Sequence, residues 1–518
     1  MPRIRSTAEG RFGPGSHHDS SVQEAQAGRQ GEAARDLALL REAVCGLKER
    51  APGLSAAAPL PFWQKAAIAA LIAGAGVGAV LAPEATLVAL LAVMALPFLM
   101  VVALRAASLW QLASRRDEVR SVAAADHDLP AYSILVPMLH EAAVVPHLIA
   151  ALQRLDYPAD RLDVLLIVES FDTATRAALR AMALPRHMRV LVVPEGEPGT
   201  KPRACQYALQ HARGDYVVVY DAEDCPEPDQ LRRALSAFRS GSERLGCLQA
   251  QLNIYNSRQS WLTRQFTLEY TALFDAILPT LEWLRLPVPL GGTSNHFPRA
   301  VLDEVGGWDP YNVTEDADLG IRLARAGWQV SVLPSTTWEE APPTFRIWRK
   351  QRTRWLKGWM QTYLVHMRAP MRLWRELGVR GFLGLQVLMG GLILSALVHP
   401  WFYVLVAADL WQGRLLGVPD GMLGRTLLAV GLFNVVAGYL SAMALGAVAA
   451  ARRGRRRLAL HAVLMPLYWL GISLAAYRAL WQLAVAPYYW EKTEHFARLP
   501  HSGSRPDRGS CEPPIAAE

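Results

Sequence analysis

Two pairs of apolar runs bracket a long polar stretch, and this division constrains the fold more than any single motif. Ala66 to Ala82 and Thr86 to Leu104 are separated only by the break at Pro83-Glu84; Phe382 to Leu410 and Thr426 to Ala451 form the second pair. A helix needs roughly 20 apolar residues to cross a bilayer. Residues 61–112 and 382–451 therefore read as two transmembrane hairpins. Arginines crowd the ends of these runs, at Arg115, Arg116 and Arg120 and in Arg452-Arg453-Gly454-Arg455-Arg456-Arg457. Such clusters mark cytoplasmic flanks, which places the stretch between the hairpins in the cytoplasm. Leu458 to Val485 is apolar but carries His461, Pro466, Arg478 and Gln482. It fits a fifth span or a bent interfacial helix within 458–497, and orientation favours the interfacial one.

The net charge of +8 is concentrated beside the apolar runs. Nucleic-acid binding would want a basic stripe with aromatic stacking platforms, and no such stripe occurs. Cys45, Cys205, Cys225, Cys247 and Cys511 are scattered, with no Cys-x-x-Cys pair, so neither a disulfide framework nor a zinc site is expected. Residues 1–60 have the composition of a disordered cytosolic tail, broken by a docking helix from about Glu32 to Arg50 with Ala34, Leu37, Leu40 and Val44 at helical spacing. Residues 498–518 read as a second disordered tail.

Between 130 and 368 the pattern changes. Ser133 to Pro137, Val164 to Val168, Arg189 to Val193 and Tyr216 to Tyr220 are short, nearly continuous apolar strands. Helical stretches alternate with them, at Glu141 to Leu155, Thr173 to Ala183 and Pro202 to Ala212. That alternation predicts an α/β fold with a mostly parallel sheet covered on both faces. In such folds ligands bind beyond the carboxyl ends of the strands. Residues 369–381, rich in arginine and amphipathic, suit an interfacial helix.

The strand ends carry acids. Val168 is followed by Glu169-Ser170-Phe171-Asp172, and Tyr220 by Asp221-Ala222-Glu223-Asp224. Carboxylates one residue apart can share a divalent cation with a diphosphate; helix capping is the plainer alternative. Thr314-Glu315-Asp316 opens another helix, where Thr314 could cap and an acid could serve as general base. Gly291-Gly292-Thr293-Ser294-Asn295-His296-Phe297 offers close backbone approach or a plain turn into a strand. Helical spacing puts Gln351, Arg354 and Trp355 on roughly one face, suited to a leaving diphosphate and a sugar ring, or to anionic lipid.

Taken in order, Glu169/Asp172, Asp221-x-Glu223, Thr314-Glu315-Asp316 and Gln351-x-x-Arg354-Trp355 resemble the processive family 2 glycosyltransferases. These are membrane synthases of cellulose, hyaluronan and related β-linked polysaccharides. Tyr220 to Asp224 and Gly291 to Phe297 are similar to a bacterial branch that includes phage-adsorption inner-membrane proteins and exopolysaccharide synthases. The resemblance implies a cytosolic GT-A (Rossmann-like) domain between transmembrane hairpins in the inner membrane. It implies a nucleotide-sugar donor, a UDP-sugar by preference, a growing glycan as acceptor, and Mg²⁺ or Mn²⁺ on Asp221 and Glu223. By position, Glu169 or Asp172 would contact the uridine and Lys201 the nucleotide. Asp316 would be the base beside Glu315, with Arg354 at the leaving diphosphate and Gln351 and Trp355 at the acceptor end. Trp490, Lys492 and Thr493 resemble a segment that closes over the donor. The family usually has aspartate where Glu169 and Glu223 stand.

Four clear spans are few for a self-contained channel, so a homo-oligomer or export partner would complete the path, with membrane lipids around it. The rivals are a transferase that adds one sugar to a lipid-linked acceptor and a receptor or assembly protein whose transferase-like domain has lapsed.

Overall fold

The computed structural model describes residues 17–114, 126–413 and 421–491. Arg115, Arg116, Arg120, Lys492, Thr493 and the expected tail at 498–518 lie outside the described residues.

The chain opens with α1 (His17–Arg50) and the apolar helices α2 (Phe62–Leu81) and α3 (Pro83–Ser114). The α/β part begins with β1 (Tyr132–Met138), α4 (Val145–Leu152), β2 (Leu162–Glu169), α5 (Thr173–Arg180), β3 (Met188–Val193), α6 (Lys201–Leu209) and β4 (Tyr216–Val219). It continues through β5 (Cys225–Pro226), α7 (Gln230–Ser240), β6 (Leu245–Ile254), α8 (Trp261–Ala272) and α9 (Leu278–Trp283). β7 (Asn295–Pro298), α10 (Arg299–Val305), α11 (Glu315–Arg325), β8 (Gln329–Glu339) and α12 (Phe345–His366) complete it. The chain then runs through α13 (Pro370–Leu385), α14 (Gly391–Trp411), α15 (Gly421–Arg452), α16 (Arg456–Ala459) and α17 (Met465–Val485).

The strands form one sheet in the order β3-β2-β1-β4-β7-β6-β8-β5. The β1–β2, β2–β3 and β1–β4 pairs are parallel, with Tyr132 facing both Leu162 and Tyr216. Side chains alternate between two cores: Leu135, Leu165 and Ile167 pack with α6, while Ile134, Val136 and Leu166 pack with α4 and α7. Burial on both faces is why these strands read as unbroken apolar runs. The sheet is less parallel than the sequence predicts, because β7 runs antiparallel between β4 and β6. This insertion brings the end of β4, the loop before β7 and the end of β8 to one side of the sheet.

In the N-terminal segment the helix is longer than the spacing from Glu32 suggests, running from His17 to Arg50. Burial of Ala43 and Leu47, beside half-buried Leu39 and Leu40, docks α1 on α6, while Leu37 stays exposed. The contact face is thus rotated from the one the helical spacing suggested. Beyond the helix, Asp309 receives hydrogen bonds from Ser55 Oγ (3.1 Å) and Ala56 N (2.6 Å), which holds the chain down where composition alone gave no partner.

Among the described residues, five helices are long and apolar enough to cross a membrane: Phe62–Leu81, Pro83–Ser114, Pro370–Ala408, Gly421–Arg452 and Arg456–Val485. The last, expected to lie in the interface, thereby ranks by length and composition with the other four. The arginine-rich piece that opens the third is set off by a kink at Gly378 (φ 66°). α3 packs along α15, and α17 packs along both α14 and α12. Arg453 pairs with Asp275, and Arg352 Nη1 with Glu269 Oε1 (2.7 Å), which tie α15 and α12 to the α8–α9 region.

Candidate active site

Apart from Arg354, in the middle of α12, the residues that carry charge into the site come from the ends of elements, where the backbone is not consumed by pairing. Lys201 opens α6 on its crevice side. Its ammonium bonds Asp221, just past β4, and Gly292 O at 2.7 Å. Burial alone would lower its pKa, but the carboxylates of Asp221 and Glu315 outweigh that and hold it above the ordinary lysine value. The loop before β7 is built to present Gly292. Gln249 Oε1 accepts from Gly291 N (2.7 Å), Gln249 Nε2 donates to Thr293 O (3.0 Å), and Ser294 takes φ 57°. A Cβ on Gly292 would lie 3.3 Å from Asp316 Oδ2 and 3.9 Å from Lys201 Nζ, so glycine keeps open the space between them.

Asp316 and Glu315 stand in the first turn of α11. Burial raises both carboxyls above the usual range, and Lys201 and Arg354 pull back only part of that. Thr314 does not cap this helix: its hydroxyl is buried with no hydrogen-bond partner and lies against α12 where Gly358 leaves room. A Cβ on Gly358 would come within 2.4 Å of the Thr314 side chain. The glycine is what lets α12 approach the turn that carries Asp316.

On α12, the Arg354 guanidinium lies 4.4 Å from the Trp490 ring centre. Trp355 stacks beside Tyr270 at 6.2 Å, and Gln351 Oε1 is buried without a partner. Lys357 is fully buried and donates to Ala486 O (3.2 Å) and Tyr489 O (2.7 Å). Burial brings its pKa down to about 8. The turn it holds is the one that carries Trp490.

Lys201, Asp221, Glu223, Thr314, Glu315 and Asp316 line one cavity of about 1440 Å³. Gln351, Arg354, Trp355 and Trp490 line it from the other side, and it continues among α3, α14 and α15. Glu169 and Asp172 do not line it. The Glu169 carboxylate is held by Arg203, which is fully buried, and Asp172 caps α5 by accepting from Thr175 N (3.1 Å). His296 is enclosed beneath the sheet, its Nδ1 2.7 Å from Tyr132 Oη.

Two groups were given no role by the sequence. Asp224 is fully buried, accepting from Asp221 N (2.7 Å) and from Thr293 Oγ1, and so fixes the acidic loop. Glu339, at the end of β8, lines the cavity with Oε1 buried and unpartnered. Burial raises both carboxyls, reinforced by neighbouring acids. The Glu339-Glu340 pair at a strand end is the same signal that pointed to Asp221.

Residues 130–358 match the family model described as glycosyltransferase like family 2. A probable glycosyltransferase YdaM of Bacillus subtilis is 27% identical over 235 residues, covering 45% of this chain and 56% of its own. A beta-monoglucosyldiacylglycerol synthase of Synechocystis is 31% identical over 268 residues, covering 50% and 55%. Among solved structures, the mannosyltransferase PcManGT of Pyrobaculum calidifontis, in complex with GDP-Man and Mn²⁺, aligns with 73% of this chain and 99% of its own, at 19% identity and a TM-score of 0.46. The chain spans about half the length of the two curated relatives. Residues 130–358 are thus similar to the catalytic domain of an enzyme family, the family 2 glycosyltransferases, and form an α/β domain.

Proposed function

We propose that the chain is a membrane-seated, inverting glycosyltransferase that moves a sugar from a nucleotide-sugar donor, a UDP-sugar by preference, to an acceptor hydroxyl. The observation that carries this is the single cavity in which Lys201, Asp221, Glu223 and Asp316 meet Arg354 and Trp355 and which runs on among the apolar helices. The α/β domain would face the cytoplasm at a bacterial inner membrane.

The donor set suits Mg²⁺ or Mn²⁺. Such an ion is held by one or two carboxylates, with substrate phosphates completing the shell. Asp221 and Glu223 line the cavity one residue apart, and among the described residues no group of three or more His, Cys, Asp or Glu makes a metal cage unaided. The ion would supply charge neutralisation at the diphosphate. Lys201 and Arg354 bring fixed positive charge to the same region. Asp316, its basicity raised by burial, takes the proton from the acceptor hydroxyl. A single in-line displacement inverts the anomeric centre, so an α-linked donor gives a β-linkage. Trp355 presents an indole face at the acceptor end, and Trp490 covers Arg354. Repeated addition to a growing glycan with export is a second reading, favoured by the continuation of the cavity past Trp355.

The test is a screen of UDP- and GDP-sugars against the purified full chain, with and without chelator. Chelation should stop release of the nucleoside diphosphate, and Asp316→Asn should stop transfer while donor still binds by calorimetry. Turnover retained by Asp316→Asn would sink the assignment of the base.

A further inference from the structure

The cavity does not end at the acidic residues. Beyond Trp355 it enters a cleft between two helix pairs, α3 with α15 and α14 with α17. On α3 the wall is Leu87, Leu91, Met94, Phe98 and Val101, a stripe at helical spacing that ends in Arg105. On α15, Leu428, Leu432 and Val435 face it at the same spacing. A glycan path needs hydrogen-bonding groups along its length, whereas the α3 wall from Leu87 to Val101 is hydrocarbon; the polar lining, Ser395, His399, Asn434 and Tyr439, comes from α14 and α15. Arg105 stands at the end of the α3 stripe. It donates to Gly438 O at 3.0 Å and lies 5.2 Å from the Trp469 ring centre, partners that carry no negative charge. A guanidinium at the end of an apolar stripe, its charge unneutralised, suits a phosphate.

We propose that this cleft seats the acyl chains of an anionic phospholipid that bears a free hydroxyl beside its phosphate, and that this lipid is the acceptor. The inference rests on the function proposed above and names its acceptor class. The chains lie along the Leu87–Val101 stripe, the phosphate meets Arg105, and the headgroup reaches toward Asp316. The lipid hydroxyl oxygen bonds to the anomeric carbon as the bond from that carbon to the diphosphate oxygen breaks. The electron pair leaves with the nucleoside diphosphate, and the hydroxyl proton passes to the Asp316 carboxylate.

The experiment uses the full chain in vesicles of phosphatidylcholine, with or without phosphatidylglycerol, and donor labelled in its sugar. Label should enter the organic phase only in the phosphatidylglycerol vesicles. Arg105→Gln should lower it about tenfold, the loss expected for one charge-assisted contact, while Arg105→Lys retains most of it. Leu91→Trp, which fills the cleft without touching Arg105, should lower it as well. Because Arg105 also braces α3 on α15, the lysine variant separates loss of charge from loss of fold. Label in a water-soluble polymer, or equal labelling of both vesicle types, overturns the lipid acceptor while leaving the transferase reading intact. If no donor is consumed in any vesicle, the transferase reading fails, and the acceptor proposal fails with it.

Discussion

Replacing Gly292 by alanine should separate activity from stability. The new Cβ would sit 3.3 Å from Asp316 Oδ2 and 3.9 Å from Lys201 Nζ, touching side-chain tips and no backbone. The backbone at 292 does not take the positive φ that would strain an alanine. Gly→Ala at a compatible site stabilises by about 0.4–1 kcal/mol through the unfolded chain, and the tight contact with Asp316 offsets part of that. The net change in Tm should stay within about 2 °C. Activity is a different matter, because the methyl fills the gap between the base and the Lys201–Asp221 pair. Reacting atoms must approach to about 3–3.5 Å, and a displacement of about 1 Å costs on the order of 100-fold, or about 2.7 kcal/mol of barrier. The assay is release of the nucleoside diphosphate at saturating acceptor, run beside a thermal melt of the solubilised protein. A kcat/KM within about threefold of the parent, or a Tm lowered by more than about 5 °C, would refute the placement of the reacting centre at Gly292.

Three other perturbations follow from the same geometry. Because burial raises Asp316, and because the base must be ionised to accept a proton, kcat/KM should rise with pH along a limb displaced above the ordinary carboxylate value of about 4; a limb at the ordinary value counts against Asp316. Lys357→Met removes the hydrogen bonds to Ala486 O and Tyr489 O, and should raise the donor KM about tenfold, the worth of one buried charged contact, while opening 486–491 to limited proteolysis. Gly358→Ala forces a methyl to within 2.4 Å of the Thr314 side chain, and should cost about 1–3 kcal/mol in denaturant unfolding, with activity falling alongside.

The first half of the sheet was legible because β1, β2 and β4 are buried on both faces and hydrophobicity marks them, and β3 keeps the same apolar composition although Val190 and Val192 are exposed. The second half was not. β6 and β8 enclose Gln249, Asn253, Thr336 and Thr337, and β7 opens with Asn295 and His296, so apolar runs do not mark them. These polar groups are tolerated because they bond sideways, as Gln230 Nε2 does to Thr337 Oγ1 (3.1 Å) and Ser294 Oγ does to Thr337 Oγ1 (2.7 Å). In the site, Asp221, Glu223 and Asp316 could be picked out because position after a strand or at a helix start fixes where an acid points. Glu169 and Asp172 have the same local signature and stand elsewhere. What separates them is Arg203, 34 residues downstream of Glu169, whose buried guanidinium claims its carboxylate. No local pattern encodes that partner.

The stretch from Arg349 to Gly358 shows why a basic helix next to apolar segments need not be a lipid-facing one. A helix lying on headgroups needs one cationic stripe, with its remaining faces packed or hydrated. Here the cations diverge. Arg352 enters a cage of Phe266, Trp348, Trp355 and Tyr468 and pairs with Glu269; Arg354 faces the cavity; Lys357 binds the turn before Trp490. Gly358, on a further side, receives Thr314. α12 therefore joins the α8 region, the turn bearing Asp316, and the segment that covers Arg354. A shift of this helix that moved Trp355 would therefore also move Thr314, the neighbour of Asp316, and the anchor of Trp490.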